Sequence, residues 1–131
     1  MLIQKILIVD DSPTERHFLT ELLLANGYAV TTADSGEDAL ARIKTDLPHL
    51  VLMDVVMPHM DGLEATRQLL SPSFFSLGHK PSVVGLTAHS LVGETQACLD
   101  VGMDAVLSKP IDPLALSLTL QKYLGKPFNE L

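Results

Sequence analysis

LVLMD at residues 50–54 decides the fold, together with its counterpart KILIVD at residues 5–10. Each is a short, unbroken apolar run, rich in branched side chains, that ends on an acid. Such runs suit strands covered on both faces, as in a parallel sheet with helices on either side. VVGLT at 83–87 and AVLS at 105–108 read the same way, while AVTTA at 29–33 is more polar and fits an edge strand.

Helical segments with their own punctuation lie between these runs. Ser12, Pro13 and Glu15 stand at the N-cap, N1 and N3 positions of a capping box, and Gly27 follows the last turn as a stop. Phe18, Leu19, Leu22 and Leu23 are expected to form that helix's buried stripe. Ser35 and Asp38 repeat the cap pattern before Leu40 and Ile43, and Asp61 and Glu64 repeat it before a third helix anchored by Leu63 and Leu70. Asp112 and Pro113 open the fifth. The fourth, about residues 93–101, is only marginally amphipathic, because Gly93 interrupts a mixed face. The longest connection, PSFFSLGHKP at 72–81, reads as a helix end and a surface loop. Five alternations with short loops predict an α/β domain with a parallel sheet. No repeat, low-complexity tract or linker divides the chain, so residues 1–131 are expected to be one domain, with a core at about 5–124 and a frayed tail at 125–131.

The 131 residues are 47% hydrophobic and 19% charged, enough apolar material for a core and too little charge for a disordered chain. Nine Lys and Arg against 16 Asp and Glu leave a net charge of −7, which argues against a nucleic acid or an anionic membrane as direct partner. A cation or a basic protein surface fits better. The lone Cys98 cannot close an internal disulfide and reads as a small buried hydrophobe. The first apolar run is too short for a secretory signal or a membrane span, so a soluble, cytoplasmic protein is expected.

Polar residues fall at or just past the carboxyl ends of four predicted strands: Asp10 and Asp11, Asp54, Thr87, and Lys109. Ligands of open parallel sheets bind outside those ends. Three carboxylates brought together there repel one another unless a cation sits among them. Few carboxylates with room for water and phosphate suit Mg²⁺. A lysine and a threonine are then surplus to the metal, and make sense as donors to a phosphoryl group; a carboxylate can itself accept that group.

With these residues in place, the chain resembles the receiver domain of two-component response regulators. The matching blocks are ILIVDDS (6–12), LVLMDVVMPHMDGLEATR (50–67), LTA (86–88) and GMDAVLSKPID (102–112), in the family's order. The resemblance implies a five-stranded, doubly wound, flavodoxin-like sheet of order 2-1-3-4-5. It implies Asp54 as phosphoacceptor, Asp11 and the backbone carbonyl of Val56 as direct Mg²⁺ ligands, and Asp10 as a helper through water. It further implies Thr87 and Lys109 as holders of phosphoryl oxygens, a cis Lys109–Pro110 peptide, and room beside Ala88 for the group to enter. The implied partners are a histidine kinase, a histidine phosphotransfer protein, or both, with a downstream protein target.

One departure stands out. Receivers often carry Tyr or Phe three residues before the lysine, and here that residue is Val106. A signal is therefore expected to travel through backbone movement of the loop after Thr87 and the fourth helix, or to be weaker. No output segment fits in the chain, so the output is expected to be a protein contact, through the fourth helix, fifth strand and fifth helix, or onward transfer. The Met1 start suits a single-domain regulator, whereas GMDAVLSKPI is similar to receivers fused to hybrid kinases. A phosphatase of the haloacid dehalogenase type would want an acid at Val56, and a flavodoxin-like cofactor binder would want a Ser/Thr/Gly-rich loop where DDSPTE is acidic. His17, His49, His59, His79 and His89 show no paired metal spacing and are expected on the surface, with contact of His89 to the phosphoryl group as the alternative for that residue, and Met53, Met57, Met60 and Met103 are expected in packing roles.

Overall fold

The structure, a computed structural model, describes residues 3–72, 74, 80–88 and 92–129. The order is β1 (Lys5–Val9), α1 (Pro13–Ala25), β2 (Ala29–Ala33), α2 (Gly36–Thr45), β3 (Leu50–Asp54), α3 (Gly62–Leu69), β4 (Ser82–Thr87), α4 (Val92–Asp100), β5 (Ala105–Ser108) and α5 (Pro113–Leu124). All strand pairs are parallel, and the sheet order is β2-β1-β3-β4-β5. The polar strand β2 lies at an edge, as its composition predicts.

The unbroken apolar runs sort by alternation onto two faces. Leu7 and Val9 of β1 and Val51 and Met53 of β3 pack with Ala39, Ile43, Ala65, Leu69 and Cys98 under α2, α3 and α4. Ile6, Ile8, Leu50 and Leu52 pack with Leu19, Leu23, Leu116 and Leu120 under α1 and α5. Continuing the same alternation, Asp10 and Asp54 point toward the α1 and α5 side. That parity is what puts them within reach of side chains from α1 and from the loop before α5.

Caps begin the helices where the side chains demand them: Ser12, Ser35, Asp61 and Asp112 each accept a backbone N–H from the first turn. Helix α1 stops at Asn26 followed by Gly27 at φ +87°, a left-handed conformation that glycine takes without Cβ strain. Close packing matters more at Gly62, where a Cβ would stand 2.2 Å from the Asp54 carbonyl oxygen. The absent side chain lets α3 begin directly against the end of β3.

Several expectations are corrected. Phe18 is 46% exposed, so the α1 stripe consists of fully buried Leu19 and Leu23 with Leu22 at its margin. In α3 the buried anchors are Ala65, Thr66 and Leu69, with Leu63 and Leu70 packed at the core's edge. Glu15 does not return to the Ser12 N–H to complete a capping box, because that N–H already donates to Asp10 Oδ1 at 2.9 Å. Nor does the tail fray through its described residues. Phe128 is 8% exposed, its N–H donates to Ser117 Oγ at 2.8 Å, and the Asn129 N–H donates to Asn26 Oδ1 at 2.8 Å. Tyr28 donates to the Lys126 carbonyl and meets the Phe128 ring edge-on. A short apolar anchor and three specific acceptors outweigh the entropy that usually frees a terminus.

Phe128→Ala is accordingly expected to destabilise the domain by about 3 kcal/mol, the low end for removing a buried aromatic. Urea unfolding measures this; a loss under about 0.5 kcal/mol, the size of an ordinary surface change, would mean that the tail is loose in solution.

Candidate functional site

The carboxyl ends of β1, β3, β4 and β5 deliver Asp10 and Asp11, Asp54, Thr87 and Lys109 to one rim of the sheet. One carboxylate oxygen from each of Asp10, Asp11 and Asp54 lies within 4.8 Å of the others. Asp10 is fully buried and Asp54 is 4% exposed, while Asp11 faces solvent. Lys109 spans the buried pair, its Nζ 3.0 Å from Asp10 Oδ2 and 3.3 Å from Asp54 Oδ1. The Lys109 N–H donates to the Thr87 carbonyl at 2.8 Å, which ties the lysine's backbone to the end of β4. Thr87 is buried, and the Lys109–Pro110 peptide is cis.

Backbone contacts fix the two buried acids. Asp10 receives the Ser12 N–H on Oδ1, and its own carbonyl accepts from Arg16 Nη1 at 2.6 Å. Beyond Asp54, the Val55 N–H donates to the Leu86 carbonyl and the Gly62 N–H to the Val55 carbonyl, both at 2.9 Å. Val56 follows at the lip of the rim, with its side chain 67% exposed.

Electrostatics divides the acids. Burial raises Asp54, the Asp10 charge raises it further, and Lys109 offsets only part, leaving its carboxyl at about 7. Burial would also raise Asp10, but hydrogen bonds with Glu15, the Ser12 N–H and Lys109 hold it below the ordinary carboxylate value. Burial opposes the charge on Lys109, yet Glu15, Asp10 and Asp54 together keep the ammonium above its ordinary value. The cluster holds a proton-hungry Asp54 beside a charged lysine.

Sequence reasoning missed two participants. Glu15 pairs with Lys109 Nζ, and Arg16 braces the Asp10 carbonyl. Glu15 was absorbed into a helix cap, and only its turning away from Ser12 reveals it. The exposed Phe18 has a reason as well: with Leu19, Leu86, Pro110 and Ile111 it lines an apolar groove of about 320 Å³ that ends at Lys109. Val106 packs at the edge of the α3 and α4 cluster, opposite Gly85 in the sheet register. His17 and His59 are exposed, whereas His49 is half-buried and accepts the Lys5 N–H at 3.0 Å. His79 and His89 lie outside the described residues. Met53, Met57 and Met103 are buried and Met60 packs against them.

The response regulator receiver domain pattern matches residues 6–121. This chain belongs to that family. Among curated relatives, the sensor histidine kinase RcsC of Salmonella typhi is 43% identical over 118 residues, which are 90% of this chain and 12% of RcsC. Response regulator MprA of Mycolicibacterium vanbaalenii is 43% identical over 106 residues, 81% of this chain and 44% of MprA. The receiver thus spans about an eighth of RcsC and under half of MprA. Chemotaxis protein CheY4 of Vibrio cholerae superposes with a TM-score of 0.84 at 31% identity, covering 93% of this chain and 99% of that one. The receiver domain of sensor histidine kinase PA1611 of Pseudomonas aeruginosa, with a magnesium ion in its active-site cleft, superposes at 0.82 with 30% identity, covering 95% of this chain and 100% of that one. The domain is therefore a two-component signalling module. Among the described residues, no helix is long and apolar enough to cross a membrane.

The Asp54 shift sets a pH dependence for the metal-free receiver. The unfolded carboxyl ionises near 3.8 while the folded one waits until about 7, so the native state binds more protons between those values. Its contribution to stability is present below pH 3.8 and falls as pH rises to about 7. Asp54→Asn is expected to raise Tm by several degrees at pH 8 and by little at pH 4, in chelator. Equal shifts at both pH values would show that Asp54 ionises normally.

Proposed function

We propose that this receiver accepts a phosphoryl group on Asp54 from a phosphohistidine and signals by altered protein binding. The observation that carries the reading is the Lys109 ammonium shared between two buried carboxylates, with a third alongside, at the carboxyl rim.

The donor set fits Mg²⁺: a few carboxylate oxygens, one of them solvent-facing, with mutual repulsion for a divalent cation to relieve. Asp10, Asp11, Asp54 and the Val56 carbonyl would hold it. When bound, Mg²⁺ supplies positive charge against the carboxylate and phosphoryl oxygens. The chain's own residues do the rest. An Asp54 oxygen attacks phosphorus; an O–P bond forms as the N–P bond to the donor imidazole breaks, and the imidazole leaves with that electron pair and takes a proton from solvent. Lys109 offsets part of the cost of ionising Asp54 for attack, then turns its ammonium to a phosphoryl oxygen, and the Thr87 hydroxyl donates to another. The domain in this reading catalyses only its own phosphorylation and dephosphorylation.

The partners are a histidine kinase or a histidine phosphotransfer protein, and a downstream protein. The receiver domain of yeast Ssk1, crystallised with the phosphotransfer protein Ypd1, superposes on this chain with a TM-score of 0.84 at 25% identity, which supports the second. The groove at Phe18 offers such a partner apolar surface to bury beside Lys109. With Val106 in place of an aromatic, the signal is relayed through the backbone after Thr87. The chain reads as one unit acting in the cytoplasm, with no direct contact to nucleic acid.

Intact mass after incubation with a small phosphodonor tests the chemistry. One phosphoryl gained with Mg²⁺, and none in chelator or in Asp54→Ala, is the expected result; no gain by folded native protein would make the domain a phosphorylation-independent binding module. Phe18→Ala should leave this reaction unchanged and slow transfer from a phosphotransfer protein about tenfold, as losing a buried interface aromatic would. Equal slowing with both donors would place Phe18 in the chemistry and not in docking.

A further inference from the structure

Glu15 is the third residue of α1, and its backbone N–H is held by Ser12 Oγ at 3.3 Å. At such a position a glutamate commonly folds back onto the N-cap N–H. Here that N–H is taken by Asp10, so the Glu15 carboxylate turns into the rim instead. There it pairs with Lys109 Nζ, and the adjoining Asp10 side chain together with burial pushes Glu15 above the ordinary carboxylate value. The side chain remains 40% exposed, while the Oε2 that meets the lysine is itself buried.

A lysine ammonium has three donors, and Lys109 faces three carboxylates: Asp10, Asp54 and Glu15. Two of these belong to the acid trio that gathers for a cation, and Glu15 alone does not. A divalent cation on that trio competes with the lysine for Asp10 and Asp54 oxygens. Unless another acceptor is in place, displacing the lysine leaves a largely buried ammonium short of partners, which is costly.

We propose that Glu15 is a positioning residue for Lys109: it retains the ammonium when the cation claims Asp10 and Asp54, and thereby lowers the cost of metal entry. This rests on the Mg²⁺ reading of the trio. Held from the α1 side, the lysine stays beside Asp54 with a donor ready for the incoming group. Nearby negative charge alone would also favour a cation, so the distinction lies in whether the effect of Glu15 passes through Lys109.

A double-mutant cycle on Mg²⁺ affinity separates the two. Calorimetric titration at fixed pH and ionic strength compares the native domain, Glu15→Gln, Lys109→Ala and the double variant. Gln retains size and helix propensity, and thermal melts check that all four fold. Glu15→Gln is expected to weaken Mg²⁺ about fivefold in the native background and less than twofold without the lysine, a coupling of ordinary size for contacting charged groups. Equal weakening in both backgrounds would overturn the proposal and leave only a through-space charge effect, and no weakening in either would overturn it outright. In metal-free protein, the Lys109 ammonium signal in ¹⁵N NMR should shift in Glu15→Gln; an unchanged signal would mean that the pair does not form. Failure of the native domain to bind Mg²⁺ would overturn the cation reading itself, and the role of Glu15 with it.

Discussion

A carboxylate at the end of an apolar strand sets the terms for the rest of this molecule. Asp54 completes β3, whose other residues are all buried, and is itself 4% exposed. Charge there is opposed by desolvation and by Asp10 beside it. Lys109 is the compensation supplied by the protein, and it arrives from the far side of the sheet across β4. A strand order that places β3 between β1 and β4, with β5 next, is what brings an acid pair, an acceptor and a lysine onto the same rim.

The neighbours of that rim are shaped to keep it in place while leaving it electrostatically unsettled. Gly62 lets α3 press against the Asp54 carbonyl, and the Ser12 N–H and Arg16 brace Asp10 from side chain and backbone. The backbone is thus held by packing and hydrogen bonds, whereas the charges are divided between a depressed Asp10 and a raised Asp54. Such an arrangement stores repulsion that a cation can relieve.

At the opposite edge the chain is tied differently. The segment after α5 meets the C-terminal end of α1, with Phe128 and Asn129 anchored on Ser117 and Asn26, and Gln4 reaches the Leu124 carbonyl.

The strands, the caps and the acids were legible in the residues because they depend on local physics: branched apolar runs, oxygen side chains before helices, and carboxylates at strand ends. The order of the sheet was legible only through family resemblance, since parallel strands of similar composition carry no label for their neighbours. The buried anchors of α1 were partly misread at Phe18, because a helix stripe does not say which of its members faces a groove. Glu15 shows the limit most clearly. By sequence it belongs to a helix cap, and only the tertiary structure, by giving the Ser12 N–H to Asp10 and bringing Lys109 from β5, decides that its charge serves the site. The sequence by itself determined which chemistry was available. The folded chain decided which charges meet, because their energies depend on burial and on distances between residues as far apart as Glu15 and Lys109.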